Sequence, residues 1–184
     1  MDFIELAEKR YSVRKYQDRQ VSKDDLDRVI RAAMLAPTGK NNQPFRIYVL
    51  QSKEAVAKMA GLSPCVFGAP TVLLFAYSRT EEWENPLEEG VHSGDQDVSI
   101  IATHAMMEAA DIGLGTCWCN YFPNSEAERV FGLPQNERVV LFMPIGYPAE
   151  DSAPSAMHSA SRPVEEVVKY LRIGSTSPCA WGRP

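Results

Sequence analysis

Residues 71–77 read Thr-Val-Leu-Leu-Phe-Ala-Tyr, an almost unbroken apolar run that follows Pro70. An alternating strand keeps one face in water, whereas a run of this kind suits a central strand buried on both faces. The layers on either side of its sheet must then come from helices, and the sequence supplies them. Leu26, Val29, Ile30, Ala33 and Met34 recur at helical spacing behind a Ser22/Asp25 pair that resembles a capping box, and this helix should stop before Pro37. Val98, Ile101, Ala102, Ala105, Ala109 and Ile112 mark the longest helix, over 95–112, ended by Gly113. Short helices are predicted from Phe3 to about Arg10, over 53–60, and after Ser125 with Glu128, while 45–50, 114–120 and 139–145 read as further strands. Beyond residue 147 only 163–172 is helix-like, with Pro163 at the first helical position. No repeat or linker divides the chain. The expectation is an α+β fold in which helices flank a mostly antiparallel central sheet, as one domain over 1–173 followed by a tail, 174–184.

The net charge of −5 provides no broad field for a phosphate backbone, so nucleic acid is not an expected partner and any anion site must be built locally. The start, Met1 to Leu6, lacks the basic and apolar character of a signal peptide, and no apolar run reaches membrane-spanning length. A cytoplasmic protein with no membrane partner is expected. Of four cysteines, Cys117 and Cys119 form C-x-C and Cys65 and Cys179 stand alone. That spacing does not suggest a metal site; small buried thiols are expected instead. Hydrolytic signatures, Rossmann glycines and P-loops are absent, and His104 falls inside the long helix.

Four segments remain. Arg10-x-Ser12-x-Arg14 follows the first helix, and alternation along extended chain would turn two guanidiniums and a hydroxyl to one side, where they could grip a phosphate. Residues 36–45, Ala-Pro-Thr-Gly-Lys-Asn-Asn-Gln-Pro-Phe, hold amides and free backbone groups between two prolines, suited to the edge of a planar heterocycle. In 113–122 small residues permit close backbone approach and Trp118 offers an apolar wall. The fourth is Pro144 to Pro148, followed at a distance by Arg162-Pro163. Each alone has an ordinary structural explanation.

Taken in order, these segments resemble the FMN-dependent nitroreductase family, which also includes flavin reductases and reductive dehalogenases, over roughly residues 3–171. The resemblance implies a three-layer fold and an intertwined homodimer with FMN at the subunit interface. It implies that Arg10, Ser12, Arg14 and Arg162 hold the ribityl phosphate, that Pro37, Thr38 and Asn41 line the flavin from the other subunit, and that Trp118, Cys119, Asn120 and Tyr121 pass beside the ring, where a backbone N–H near N5 stabilises hydride arrival. It further implies NAD(P)H as reductant, ping-pong turnover on an electron-poor acceptor such as a nitroaromatic or quinone, and no catalytic side chain. The irregular segment 78–94, with Trp83 and His92, is expected to cover the substrate face. This sequence departs from the family pattern at Ser159-Ala160-Ser161, where relatives carry a further Lys or Arg before Arg162, at Phe45, where Trp is frequent, and at Asn120, where some relatives place an acid. Reductive dehalogenation on the same scaffold, or flavin binding without turnover, are the alternatives.

Overall fold

The computed structural model describes residues 2–171; Cys179, the predicted tail 174–184 and the end of the helix predicted over 163–172 lie outside them. The helices are α1 (Phe3–Lys9), α2 (Lys23–Met34), α3 (Lys53–Leu62), α4 (Gly94–Asp111), α5 (Asn124–Val130) and α6 (Val164–Val167), and the strands β1 (Phe45–Leu50), β2 (Thr71–Ser78), β3 (Gly115–Thr116) and β4 (Glu137–Gly146). The strands form one sheet in the order β1-β2-β4-β3, with every neighbouring pair antiparallel.

All eight residues of β2 are buried, as its apolar run requires. Leu73, Phe75 and Tyr77 meet the apolar faces of α2 and α4 on one side, while Val72, Leu74 and Ala76 pack with Met59 of α3 and Phe142 on the other. The result is three layers, helices over both faces of an antiparallel sheet. Burying a side chain of this size stabilises the fold by about 1.5–3 kcal/mol, so this strand anchors both layers. A bulge between Phe75 and Ala76 pairs them with Leu141 and Val139, which leaves Val140 as the extra residue of β4.

Helix boundaries follow their chemistry. Asp2 and Glu5 close a reciprocal capping box on α1. Ser22 caps α2 through Asp25 N–H, but the Asp25 carboxylate accepts from Tyr147 Oη at 2.8 Å, so no reciprocal box forms. Glu128 does not box α5 either; its carboxylate accepts from Val139 N–H. At the end of α4, Gly113 takes φ +82°, and the N–H groups of Gly113 and Leu114 bond back to Ala110 and Ala109. This is the left-handed helix stop that glycine permits most cheaply. The strand expected over 114–120 reduces to the two residues of β3, although Cys117 and Cys119 still donate to Pro144 and Phe142. α6 is a single turn, and Pro163 flanks it as N-cap rather than beginning it.

Candidate functional site

Arg10 to Arg14 run in extended conformation alongside β3. Ser12 bridges Thr116 in parallel, and Val13 N–H donates to the Thr116 carbonyl at 2.9 Å. Val13 is buried beneath, and its contact explains Gly115: a Cβ there would lie 2.6 Å from Val13 Cγ2. Alternation about Val13 then turns Ser12 and Arg14 outward with Arg10, as the spacing predicts. The chain after β4 is pinned along the same segment, through Gln17 N–H to Tyr147 O, Ala149 N–H to Lys15 O, and Tyr11 Oη to Ser152. Residues 155–158 are thereby brought over the arginines. Arg10, Ser12, Arg14, Ser155 and His158 share a cavity of about 290 Å³.

The Cys117 thiol, buried against this cradle, registers its field. A hydrogen bond from Cys119 first, then the Arg14 charge, the Ser12 hydroxyl and Arg10, outweigh burial and lower Cys117 from 9.0 to about 7. Cys119 moves the other way, because it gives its proton to Cys117 and is itself buried. Cys65, Cys117 and Cys119 are free thiols, and no cluster of metal-ligating side chains occurs among the described residues.

Beyond Cys117 the chain continues past β4. The N–H groups of Cys117 and Cys119 point into the sheet, so by alternation those of Trp118 and Asn120 point away from it. The Cys119 side chain is buried in the core, and both its backbone groups are committed to Phe142. Trp118 Nε1 donates to Asn120 Oδ1 at 2.6 Å, and Asn120 Nδ2 donates to Val140 O, which fixes the half-buried indole as a wall. Tyr121 is largely exposed.

The loop 37–44 is strained. Lys40, Asn41 and Gln43 all have φ between +50° and +57°, a left-handed region that costs non-glycine residues about 1 kcal/mol or more each. Thr38 Oγ1 accepts from Gln43 N–H, Gln43 Nε2 donates to Asn41 Oδ1, and Asp97 accepts from Gly39 N–H. A second cavity, about 660 Å³, lies between this loop and the segment 78–94, where Lys40 and Asn42 face Arg79, Glu82 and Trp83. Non-glycine residues held in such backbone concentrate at functional sites.

The sequence pattern of the nitroreductase family matches residues 7–67 and 57–147. The chain belongs to the nitroreductase family. It is 35% identical to a nitroreductase family protein from Clostridium difficile 630, whose crystal structure superposes with a TM-score of 0.87 over 94% of this chain and 100% of that one. A protein provisionally named NADH dehydrogenase/NAD(P)H nitroreductase from Methanothermobacter thermautotrophicus is 29% identical over 82% of this chain and 80% of its own. The FMN reductase [NAD(P)H] of Bacillus subtilis is 28% identical over 77% of this chain and 64% of its own.

Of the residues singled out in the sequence, this nitroreductase family member brings Arg10, Ser12 and Arg14 together in one cavity. Trp118, Cys119 and Asn120 follow beside β4, and the chain turns at Tyr121, where Phe122 N–H bonds back to Asn120 O. Pro37, Thr38 and Asn41 lie in the strained loop, and no described hydrogen bond or cavity joins them to the cradle within one chain. Trp83 is half-buried beside that loop; His92 is exposed on the same segment, with Glu82 and Glu84 at 3.7 and 3.8 Å. Arg162 is exposed on the segment between β4 and α6 and does not line the cavity. His158 does, with Nε2 at 3.0 Å from Glu8 O, and sequence reasoning missed it because nothing local to the tail shows that it folds back over Arg10. Asp97 was missed as well. It reads as a helix-capping acid, yet its carboxylate serves the loop, while Glu82 reaches in to accept from Gly94 N–H at the start of α4. Among the described residues no helix is long and apolar enough to cross a membrane.

Proposed function

We propose that this chain is an FMN-dependent oxidoreductase that passes hydride from NAD(P)H to an electron-poor acceptor such as a nitroaromatic or quinone. The observation that carries this reading is the cradle, in which Arg10, Ser12, Arg14 and His158 share one cavity on a scaffold that is otherwise acidic. Two fork-shaped guanidiniums, a hydroxyl and an imidazole fit a phosphate dianion. FMN, held by these residues, would supply the hydride chemistry between NAD(P)H and the acceptor, which we propose to be of ping-pong order.

The chain's own residues bind and orient. Arg10 and Arg14 would neutralise the phosphate and Ser12 would donate to it; Arg162, exposed outside this cavity on the segment after β4, would complete the clamp by folding inward. Trp118 would wall the ring and exclude water, and the outward N–H of Trp118 or Asn120 would be available to it as a donor. No side chain acts as acid or base. Positioning takes the place of proton transfer. Because Pro37, Thr38 and Asn41 do not reach the cradle of their own chain, they serve the cradle of a second copy, in a homodimer with one flavin at each shared cleft.

Exposed apolar side chains support that assembly: Phe3 on α1, Val164 and Val167 on α6, and Leu171 beyond it are all more than half exposed in one chain. Single domain extent over 1–173 belongs to the same proposal. The test is anaerobic. FMN-loaded protein should bleach on adding NADH or NADPH and regain its colour with a quinone, at a dimer's mass in sedimentation. A bound flavin that stays oxidised with both nicotinamides would leave a binding protein without turnover.

A further inference from the structure

The long helix α4 begins where two functional segments meet, and one buried carboxylate joins them. Asp97 is 2% exposed, and its two oxygens go in different directions. Oδ1 accepts from Gly39 N–H at 2.8 Å, at the entrance of the strained loop, while Oδ2 accepts from Ser93 Oγ at 2.7 Å. Ser93 Oγ in turn accepts from Trp83 N–H at 3.1 Å, and Ser93 N–H donates to Trp83 O at 3.0 Å. The loop and the Trp83 segment also touch directly, since a Cβ built on Gly39 would sit 2.9 Å from Trp83 Cβ and 3.0 Å from Ser93 Oγ.

We infer that Asp97 is a positioning residue that locks the flavin-lining loop and the Trp83 cover to the start of α4 as one unit, so that the acceptor meets a single preset cleft. The inference rests on the roles given above to the loop and to segment 78–94. The physical need is plain. Left-handed backbone at Lys40, Asn41 and Gln43 persists only if the surroundings hold it, and Gly39 N–H bonded to the buried Asp97 carboxylate ties the loop to α4, while the bonds of Asn41 N–H and Gln43 N–H to Thr38 stay within the loop. A carboxylate is required because it accepts at both oxygens at once; an amide offers one acceptor and must turn a donor toward the other partner. Ser93 relays the same anchor to the cover. Loop and cover therefore share one support rather than moving independently.

The test reads amide hydrogen exchange in the protein without flavin, and steady-state kinetics in the loaded enzyme. Asp97→Ala should speed exchange at both the Gly39 and Trp83 amides by about tenfold or more, with β2 and the central turns of α4 unchanged. Ser93→Ala should speed exchange at Trp83 alone, and Asp97→Asn should recover part of the protection at Gly39. In turnover, Asp97→Ala and Ser93→Ala should raise KM for the acceptor with kcat largely kept. Unchanged exchange at Gly39 in Asp97→Ala, or exchange rising equally across β2 and α4, would overturn the inference. If the wild-type protein takes up no FMN while the exchange pattern holds, the functional reading has failed and the mechanical coupling stands as structure alone.

Discussion

β2 and the loop 37–44 are two ways to hold eight residues of chain. β2 is held by burial: every one of its side chains is enclosed, and its backbone is bonded on both sides by β1 and β4. The loop is held by individual polar ties to strained backbone, with Lys40, Asn41, Asn42 and Gln43 all exposed. Apolar burial is non-directional and tolerant, so it can be written into one stretch of sequence. Polar ties depend on groups far along the chain, and Asp97 lies 58 residues from the amide it holds.

The strongest way to break this comparison is to damage the sheet and watch the loop. Phe142 is fully buried, stacked edge-on to Phe122 at 5.1 Å between centroids. Phe142→Ala should cost about 3–5 kcal/mol of stability in denaturant unfolding, yet leave exchange at the Gly39 amide of the remaining folded protein unchanged. Loss of loop protection at the same time would mean the two regions share one source of order. Next comes the cradle. Arg14→Ala should weaken FMN retention by about 1.5–3 kcal/mol, the worth of a charge-assisted bond, with the unfolding midpoint nearly unmoved because Arg14 is exposed. Equal flavin affinity in dialysis would remove Arg14 from the site.

Gly39→Ala sharpens the contrast from the loop side. The added methyl collides with Trp83 and Ser93, and overpacking of this kind costs about 1–3 kcal/mol. The cost should appear mainly as a raised KM for the acceptor, whereas a sheet-wide loss of exchange protection would contradict local mechanics. The smallest effect is the titration of Cys117. Its thiol is lowered to about 7, first by the hydrogen bond from Cys119 and in smaller part by Arg14 and Arg10. A phosphate on those arginines should raise it, so FMN affinity should decline as pH rises through 7, where the free protein forms thiolate and the bound protein keeps its proton. Cys117→Ser should flatten that part of the pH profile; an identical slope in both proteins would show that the thiol does not sense the cradle.

The sequence displayed the sheet-and-helix frame because burial periodicity is local. The 71–77 run, the α4 spacing and the Gly113 stop all appear where they were expected. Arg10, Ser12 and Arg14 were legible for the same reason: an extended segment fixes direction by alternation alone. Long-range partners were not. The capping box expected at Ser22/Asp25 failed because Asp25 found Tyr147 instead, and α5, expected to open at Ser125, starts one residue earlier behind Pro123. His158 and Asp97 act through partners that only the fold brings near. The 114–120 strand shortened because Pro144, opposite Cys117, has no N–H to return the bond it accepts, so the ladder stops at Thr116 and resumes only as the Cys119–Phe142 bridge.

The central claim is that the cradle recognises a phosphate, and a paired titration of flavin-free protein with FMN and with riboflavin tests it most directly. The two ligands share the ring and the ribityl chain and differ only in the phosphate. FMN should bind at least about tenfold more tightly than riboflavin, and Arg14→Ala should erase most of that difference. Equal affinity for the two flavins, or uptake of neither, would contradict it.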